Sequence, residues 1–334
     1  MSEFINRPLS RRGFLGGATV AAGLGLTACG GGQQKAAEAP SGKEGGGTIT
    51  AGTAYSTQNY DPSTTSSALA LGVNWQVVEG LYGLNFHDYS TFNELATADP
   101  KKVDDYTFEI TLRDGAKFSD GNEVKADDVV ESFNRSAAKG SVYVPMLSPI
   151  ASVEKKDDKT VTVKTTIANF SLLKERLSIV RVVPASSSQD EMKKQPVGSG
   201  PWQFESISDN TLDLVPNKNY NGATPAKDDK LHYDVLKDPT ARLTAQQDGT
   251  TLAMEMVPAD AVDQLKGAGC TVDAVQGFGV RFAMFNLGKA PWDNVKVRQA
   301  CLYALDTDKM LANAFSGQAE VATSYLPSSF ANYH

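Results

Sequence analysis

Apolar and polar residues alternate along Thr107-Phe108-Glu109-Ile110-Thr111-Leu112, the period of a strand with one buried face. Asp114-Gly115 then predicts a tight turn, because glycine accepts the positive φ that such a turn demands. Lys117-Phe118-Ser119 returns briefly before a second turn at Asp120-Gly121. From Ala126 the period lengthens: Val129, Val130 and Phe133 mark one face of a helix. Asp127 and Asp128 fall in its first turn, where the helix dipole favours negative charge.

The same reading extends along the chain. A strand is expected over 48–54 and ends before Asp61-Pro62, and a helical period follows over 67–84. A hairpin is expected from 150–154 and 160–164, with Val161 and Val163 on one face. Leu172, Leu173 and Leu177 form the apolar side of a short helix over 170–178, and 179–184 reads as a buried run. The small-residue loop 185–188 suggests no chemistry. A strand over 231–236, helices over 238–247 and 258–265, and a strand over 282–286 come next. The last helix, 295–308, is expected to bury Val297, Cys301, Leu302 and Leu305 at three-to-four spacing.

The first residues do not join this pattern. Arg7, Arg11 and Arg12 make a basic start, and the uncharged run that follows, 13–26, is too short to span a membrane as a helix. Arg11-Arg12 with Phe14-Leu15 matches a twin-arginine export signal, and Leu26-Thr27-Ala28-Cys29 resembles a lipobox whose Cys29 carries lipid. Residues 1–28 are thus expected to be a lipoprotein signal peptide. The Gly-, Gln- and Ala-rich stretch 29–47 is expected to be a flexible tether. The body that follows would be held outside the cytoplasmic membrane, on its periplasmic side or at the cell surface.

Charge and candidate chemistry narrow the function. With 334 residues and a net charge of −7, the chain has room for more than one domain and no basic stripe for nucleic acid. Cys270 and Cys301 are expected to be buried without bonding, although an oxidising compartment permits a disulfide. His87, His232 and His334 are scattered without metal-ligand spacing, so no metal and no cofactor are expected. Ser199 lacks the G-x-S-x-G spacing of a nucleophile elbow. No base, nucleophile pair or phosphate loop supports an enzyme, and a binding protein is expected.

The literal residues are more specific than their periods. The stretch Thr107-Phe108 through Leu112-Arg113-Asp114-Gly115, Lys117-Phe118-Ser119-Asp120-Gly121, and on to Asp128-Val129-Val130, Ser132-Phe133 and Arg135, resembles the signature of the family 5 extracellular solute-binding proteins. These are the oligopeptide- and dipeptide-binding subunits of ABC importers, with nickel-complex relatives. Glu79-Gly80-Leu81-Tyr82, Val197-Gly198-Ser199-Gly200-Pro201-Trp202, Asn217 to Gly222, and Val297-Arg298 to Asp306 are similar to further family motifs. Lys125, where the family has a capping Thr or Ser, and Met254, near a usual Asp, depart from the pattern. Glu79, ahead of Gly80, is read as structural before it is read as a ligand contact.

The resemblance implies an α/β fold of the periplasmic-binding-protein type (type II, cluster C), with lobes around a hinge and an extra small α/β lobe. Residues 48–66 with 197–276 would form lobe I, 67–196 the small lobe II, and 277–334 the start of an incomplete lobe III, in a chain truncated at its C-terminus. Hinge closure would exclude water and give a permease a closed form to recognise. A monomer is implied, capturing di- or oligopeptides for that permease. An envelope sensor, a nickel-complex binder and, at greater distance, a lipid-anchored hydrolase are the alternatives. Positions bordering the family's cleft are Tyr55, Ser56, Tyr82, Ser199, Trp202, Asn286 and Trp292; for each aromatic among them, core packing is the competing role. The acidic residue that holds a peptide's amine in the family lies in a later segment without a counterpart in this sequence.

Overall fold

The computed structural model describes residues 46–86, 88–275, 277, 279–316, 318–326 and 328. Arg11, Arg12, Cys29, the expected signal peptide and most of the expected tether lie outside the described residues, as do His87 and His334. Gly46 and Gly47, at the end of that tether, are already tied down. Gly46 N donates to the Lys227 carbonyl at 2.9 Å and Gly47 N to Asp229 Oδ2 at 2.8 Å.

In chain order the first elements are β1 (Thr48–Thr53), α1 (Ala68–Val77), β2 (Tyr82–Leu84), β3 (Thr91–Asn93), β4 (Lys101–Lys102) and β5 (Thr107–Thr111). Then come α2 (Ala126–Ser136), α3 (Val144–Leu147), β6 (Ile150–Lys155), β7 (Thr160–Thr165), α4 (Leu173–Leu177) and α5 (Gln189–Lys194). The remainder are β8 (Trp202–Ile207), β9 (Thr211–Pro216), β10 (Lys230–Val235), α6 (Pro239–Gln247), β11 (Ala253–Met254), α7 (Val262–Gly267), α8 (Val295–Tyr303) and α9 (Thr307–Phe315).

Two larger sheets organise them. One runs β11-β1-β10-β9-β8, with β1 parallel to both β10 and β11 and the rest antiparallel. The other is the antiparallel β4-β5-β7-β6. The alternation read at 107–112 holds, since Phe108 and Ile110 are buried while Thr107 and Glu109 are partly exposed. Gly115 and Gly121 take φ of 69° and 93°, the left-handed values their turns require. At the start of α2 the Lys125 side chain makes no cap, and Asp128 Oδ2 instead accepts from Lys125 N at 2.8 Å, one half of a capping box. Burial raises the Asp128 pKa, against the hydrogen bonds its carboxylate accepts from Ala185 N and Lys125 N.

Each sheet has its own apolar core. Phe108, Ile110, Val129, Phe133, Val161 and Val163 pack under the antiparallel sheet. Leu69, Val73, Val77, Trp202, Phe204 and Leu214 pack under the other. The buried apolar residues of α1, with Val183 and Met192, pack in the core of the five-stranded sheet.

Two expectations are corrected. Residues 282–286 form no strand and join no sheet among the described residues. The helix expected over 295–308 breaks after Tyr303, and among the described residues it buries nothing. Leu302 and Leu305 are 59% and 50% exposed, and Val297 and Cys301 are half-buried. Its period shows what the helix could bury, and Leu302 and Leu305 on that face stay open. Cys270 and Cys301 are free thiols, both partly exposed.

On the five-stranded sheet His232 lies between two carboxylates, Nδ1 at 2.7 Å from Asp213 Oδ1 and Nε2 at 3.2 Å from Asp234 Oδ1. Partial burial works to lower its pKa, but the two carboxylates outweigh this and raise it above 6.5. The stabilisation is therefore complete below pH 6.5 and fades as pH rises through the folded-state value. Because the ring is partly exposed, about 0.5 kcal/mol is expected. Lys230 remains beside Asp213 at 3.2 Å across this range. Melting curves of wild type and His232→Gln at about pH 5.5 and about pH 8.5 check it: the wild-type advantage should shrink at the higher pH. An equal advantage at both values would refute the assignment.

Candidate functional site

At two places where the chain crosses between the two cores it carries a charge. Val77 and Val78 belong to one core and Leu81 and Tyr82 to the other, with Glu79 between them. Val180 and Val182 belong to one core and Val183 to the other, with Arg181 flanked by the first two. An antiparallel bridge joins Gly80 to Arg181, and Val182 N donates to the Glu79 carbonyl at 2.8 Å.

Four charges meet at this junction. Arg181 Nη1 donates to Glu94 Oε2 at 2.8 Å and to the Val78 carbonyl at 3.3 Å. Glu94 Oε2 also accepts from Gly80 N at 2.7 Å. Arg113 grips Glu79 with both terminal nitrogens, at 2.7 and 2.8 Å, and its Nη1 reaches the Glu94 carbonyl at 2.7 Å. Its Nε donates to Asn221 Oδ1 at 2.9 Å, tying in the loop between β9 and β10. Glu79 thus serves structure. Burial pushes the Glu94 pKa up, although Arg181 and the Gly80 amide pull it down. Burial also lowers that of Arg181, which stays paired.

Arg181 is only 5% exposed, and its guanidinium carbon lies 3.2 Å from the centroid of the Trp75 ring. Phe86 meets the same ring edge-on, with centroids 5.0 Å apart. Arg181 lines a cavity of about 190 Å³ with Pro62, Leu71, Asn74, Trp75, Tyr143 and Ile179. The Tyr143 hydroxyl donates to the Thr65 carbonyl at 3.0 Å, and burial raises its pKa, so the phenol stays neutral. Arg181 Nε and Nη2 are buried and make no hydrogen bond among the described residues. These two nitrogens share one edge of the guanidinium, a fork that matches the two oxygens of a carboxylate.

The positions expected to border a cleft fall in several places. Tyr55 and Ser56 follow β1 and are exposed, and Tyr55 N donates to Thr53 Oγ1 at 3.2 Å. Tyr82 has no exposed surface, and its hydroxyl donates to the Ala98 carbonyl at 3.1 Å within the antiparallel sheet's core. Trp202 is 8% exposed and packs in the other core. Ser199 is fully buried, in a turn pressed on the end of α1, where Gly200 N donates to the Val77 carbonyl at 2.9 Å. Asn286 is exposed and Trp292 half-buried, its ring 5.1 Å from that of Phe285. None of the seven lines the Arg181 cavity.

Sequence reasoning passed over Arg181, Asn74, Trp75 and Tyr143. The available signal was a single charge inside the apolar run Ile179-Val180-Arg181-Val182-Val183, since a buried arginine needs partners. Among the described residues no three His, Cys, Asp or Glu side chains converge on a metal position, and no helix is long and apolar enough to cross a membrane.

Comparison with known proteins adds to this geometry. Residues 92–334 match the family model described as bacterial extracellular solute-binding proteins, family 5 middle. Heme-binding protein A of Haemophilus influenzae is 32% identical over 286 residues, covering 75% of this chain and 52% of the relative. Among solved structures, the Helicobacter pylori periplasmic binding protein DppA, with peptide STSA, aligns with a TM-score of 0.70 at 20% identity over 82% of this chain and 59% of that one. NikZ of Campylobacter jejuni, with Ni(L-His), gives 0.73 at 21% identity over 84% and 57%. The fold is therefore the mixed α/β type of periplasmic binding proteins. The chain spans about half the length of the curated relatives it matches.

Proposed function

Because the chain belongs to the bacterial extracellular solute-binding proteins of family 5, we propose that it captures a peptide outside the cytoplasmic membrane for the permease of an ABC importer. The observation that carries this reading is buried Arg181, which lines the 190 Å³ cavity and keeps two guanidinium nitrogens without a hydrogen bond among the described residues. Buried guanidinium donors are costly when unanswered, and a carboxylate answers both at once. The ligands named for the similar proteins above fit this chemistry, since the peptide STSA, L-histidine and heme all carry carboxylates. A cavity of this size takes one end of a peptide, with the rest lying in the cleft outside.

The remaining parts of the proposal rest on the sequence. Arg11-Arg12 would direct export and Cys29 would carry lipid, which leaves the binding body of a monomer in water beside the membrane. Tyr55, Ser56, Asn286 and Trp292 reach solvent and are proposed as contacts for the rest of the solute. Closure of the lobes, 48–66 with 197–276 on one side and 277–334 on the other, would present the loaded form to the permease. The family consists of transport binding proteins, and no reaction is proposed.

A second reading, capture of a nickel–histidine complex, is favoured by the likeness to NikZ and uses the same arginine for the histidine carboxylate. Thermal unfolding with alanyl peptides of two to five residues, and separately with nickel–histidine, decides between them. A ligand at a hundred times its dissociation constant should add about 2.7 kcal/mol of stability. Stabilisation by the peptides is expected. Stabilisation by nickel–histidine alone would transfer the assignment to the second reading, and none by either would refute the site.

A further inference from the structure

A second cavity opens on another face of α1, and it carries one carboxylate. It holds about 280 Å³ at the carboxyl ends of β1 and β11, which are parallel neighbours. Crevices of this kind are where open α/β sheets take their ligands. The helix contributes Leu69, Gly72, Val73 and Gln76, a face apart from Leu71, Asn74 and Trp75 of the Arg181 cavity. Glu255 follows β11 directly and is exposed. Its Oε1 accepts from Thr53 Oγ1 and from Ala54 N at 3.1 Å, which fixes the carboxylate to the end of β1. Oε2 makes no hydrogen bond, and Glu255 no ion pair, among the described residues. Arg242 Nη1 and Nη2 are committed to the carbonyls of Leu236, Lys237 and Met256. Burial, helped by the Glu255 charge, raises the pKa of Tyr233 on the same wall, so its phenol stays neutral. The Tyr233 hydroxyl accepts from Gln76 Nε2 at 2.8 Å. The wall is thus mostly aliphatic, with a single negative charge whose second oxygen is free.

A neutral ligand fills such a wall and leaves Oε2 to water. A short methylene chain ending in a cation covers the wall and brings its charge to Oε2. We propose that this cavity takes an ammonium or guanidinium group on a short aliphatic stem, as on a lysyl or arginyl side chain, with Glu255 as the residue that selects it. The inference goes beyond the reading of Arg181 as a carboxylate anchor and needs no part of it, since the two cavities share no lining residue. Gly72 leaves the room, because a Cβ there meets nothing within 4 Å. Glu255 is exposed, so its preference for a cation should be modest, about three- to tenfold, and should shrink as salt rises.

The test is calorimetric titration of the full chain with Ala-Lys-Ala, with Ala-norleucine-Ala, whose side chain has the same stem without the charge, and with n-butylamine. The lysyl peptide is expected to bind about three- to tenfold more tightly than the norleucyl one. In Glu255→Gln, which keeps an acceptor for Thr53 and Ala54, that ratio should fall to about one. Gly72→Leu, which fills the cavity from α1, should weaken the lysyl peptide by a similar factor without lowering the melting temperature. Equal binding of the two peptides, or a preference that survives Glu255→Gln, would overturn the inference and leave the peptide reading intact. Binding of n-butylamine that is lost in Glu255→Gln, with neither peptide bound, would keep the cation site, assign it to a free amine and remove the peptide reading. No binding by any of the three probes would overturn the inference.

Discussion

Arg181→Met is expected to lower the unfolding free energy by about 3–5 kcal/mol, the cost of stripping a buried charge of its partner. The methionine would fill part of the space and keep contact with Trp75, so lost volume is a minor part of the change. Glu94 is the residue that suffers: it keeps the Gly80 amide at 2.7 Å and loses the guanidinium at 2.8 Å. Burial already raises its pKa, and without Arg181 the carboxyl would be driven further toward the neutral acid. The double variant Arg181→Met/Glu94→Gln should therefore recover most of the loss, because it removes both charges together. Urea denaturation of wild type, both single variants and the double variant measures this directly. A single variant within about 1 kcal/mol of wild type would show the pair to be solvated like a surface ion pair.

Gly198→Ala should be comparably damaging for a different reason. A Cβ at Gly198 would lie 2.0 Å from the Val77 carbonyl oxygen, 2.7 Å from Val77 C and 2.8 Å from Val78 Cα. All three are backbone atoms at the end of α1, so no side-chain rotation relieves the clash. Gly198 also accepts from Ser119 N at 2.9 Å, which ties the turn to the antiparallel sheet's core, so it cannot simply back away. Overpacking ordinarily costs about 1–3 kcal/mol, and a clash with backbone on this scale should reach about 3 kcal/mol or more. Gly72→Ala is the matched control. Its Cβ meets nothing within 4 Å inside α1, and alanine there should add about 0.5–1 kcal/mol. Equal midpoints for the two alanine variants would contradict the close approach.

These two sites differ in how far the sequence revealed them. Gly198-Ser199-Gly200-Pro201 announces an irregular backbone by composition, and only the position of α1 explains why glycine is needed there. The hairpin of β6 and β7 and the helix α2 were legible because their periods are local and their turn residues lie alongside. The cavity was not legible. Asn74 and Trp75 lie on α1, Tyr143 precedes α3, and Arg181 comes later in the chain, so only tertiary packing places them on one wall. Tyr82 and Trp202 show the reverse case: aromatic residues in family-like motifs whose surface the cores take up. The period of 295–308 likewise records a face without recording what covers it.

The place of β1 in its sheet has a consequence for how the molecule is made. Its neighbours on either side are β10 and β11, and Thr48 pairs with Lys230. Gly47 and Asp229, joined at the entrance to these strands, are 182 residues apart in sequence. At ribosomal rates of about 5–20 residues per second, β1 waits roughly 10–40 s for its first partner. The antiparallel sheet's strands, 101–165, are all made within that interval. An early strand with both edges open invites pairing with other chains, and β1 begins on Thr48, Ile49 and Thr50, with glycine at 46, 47 and 52 lowering its appetite for premature partners.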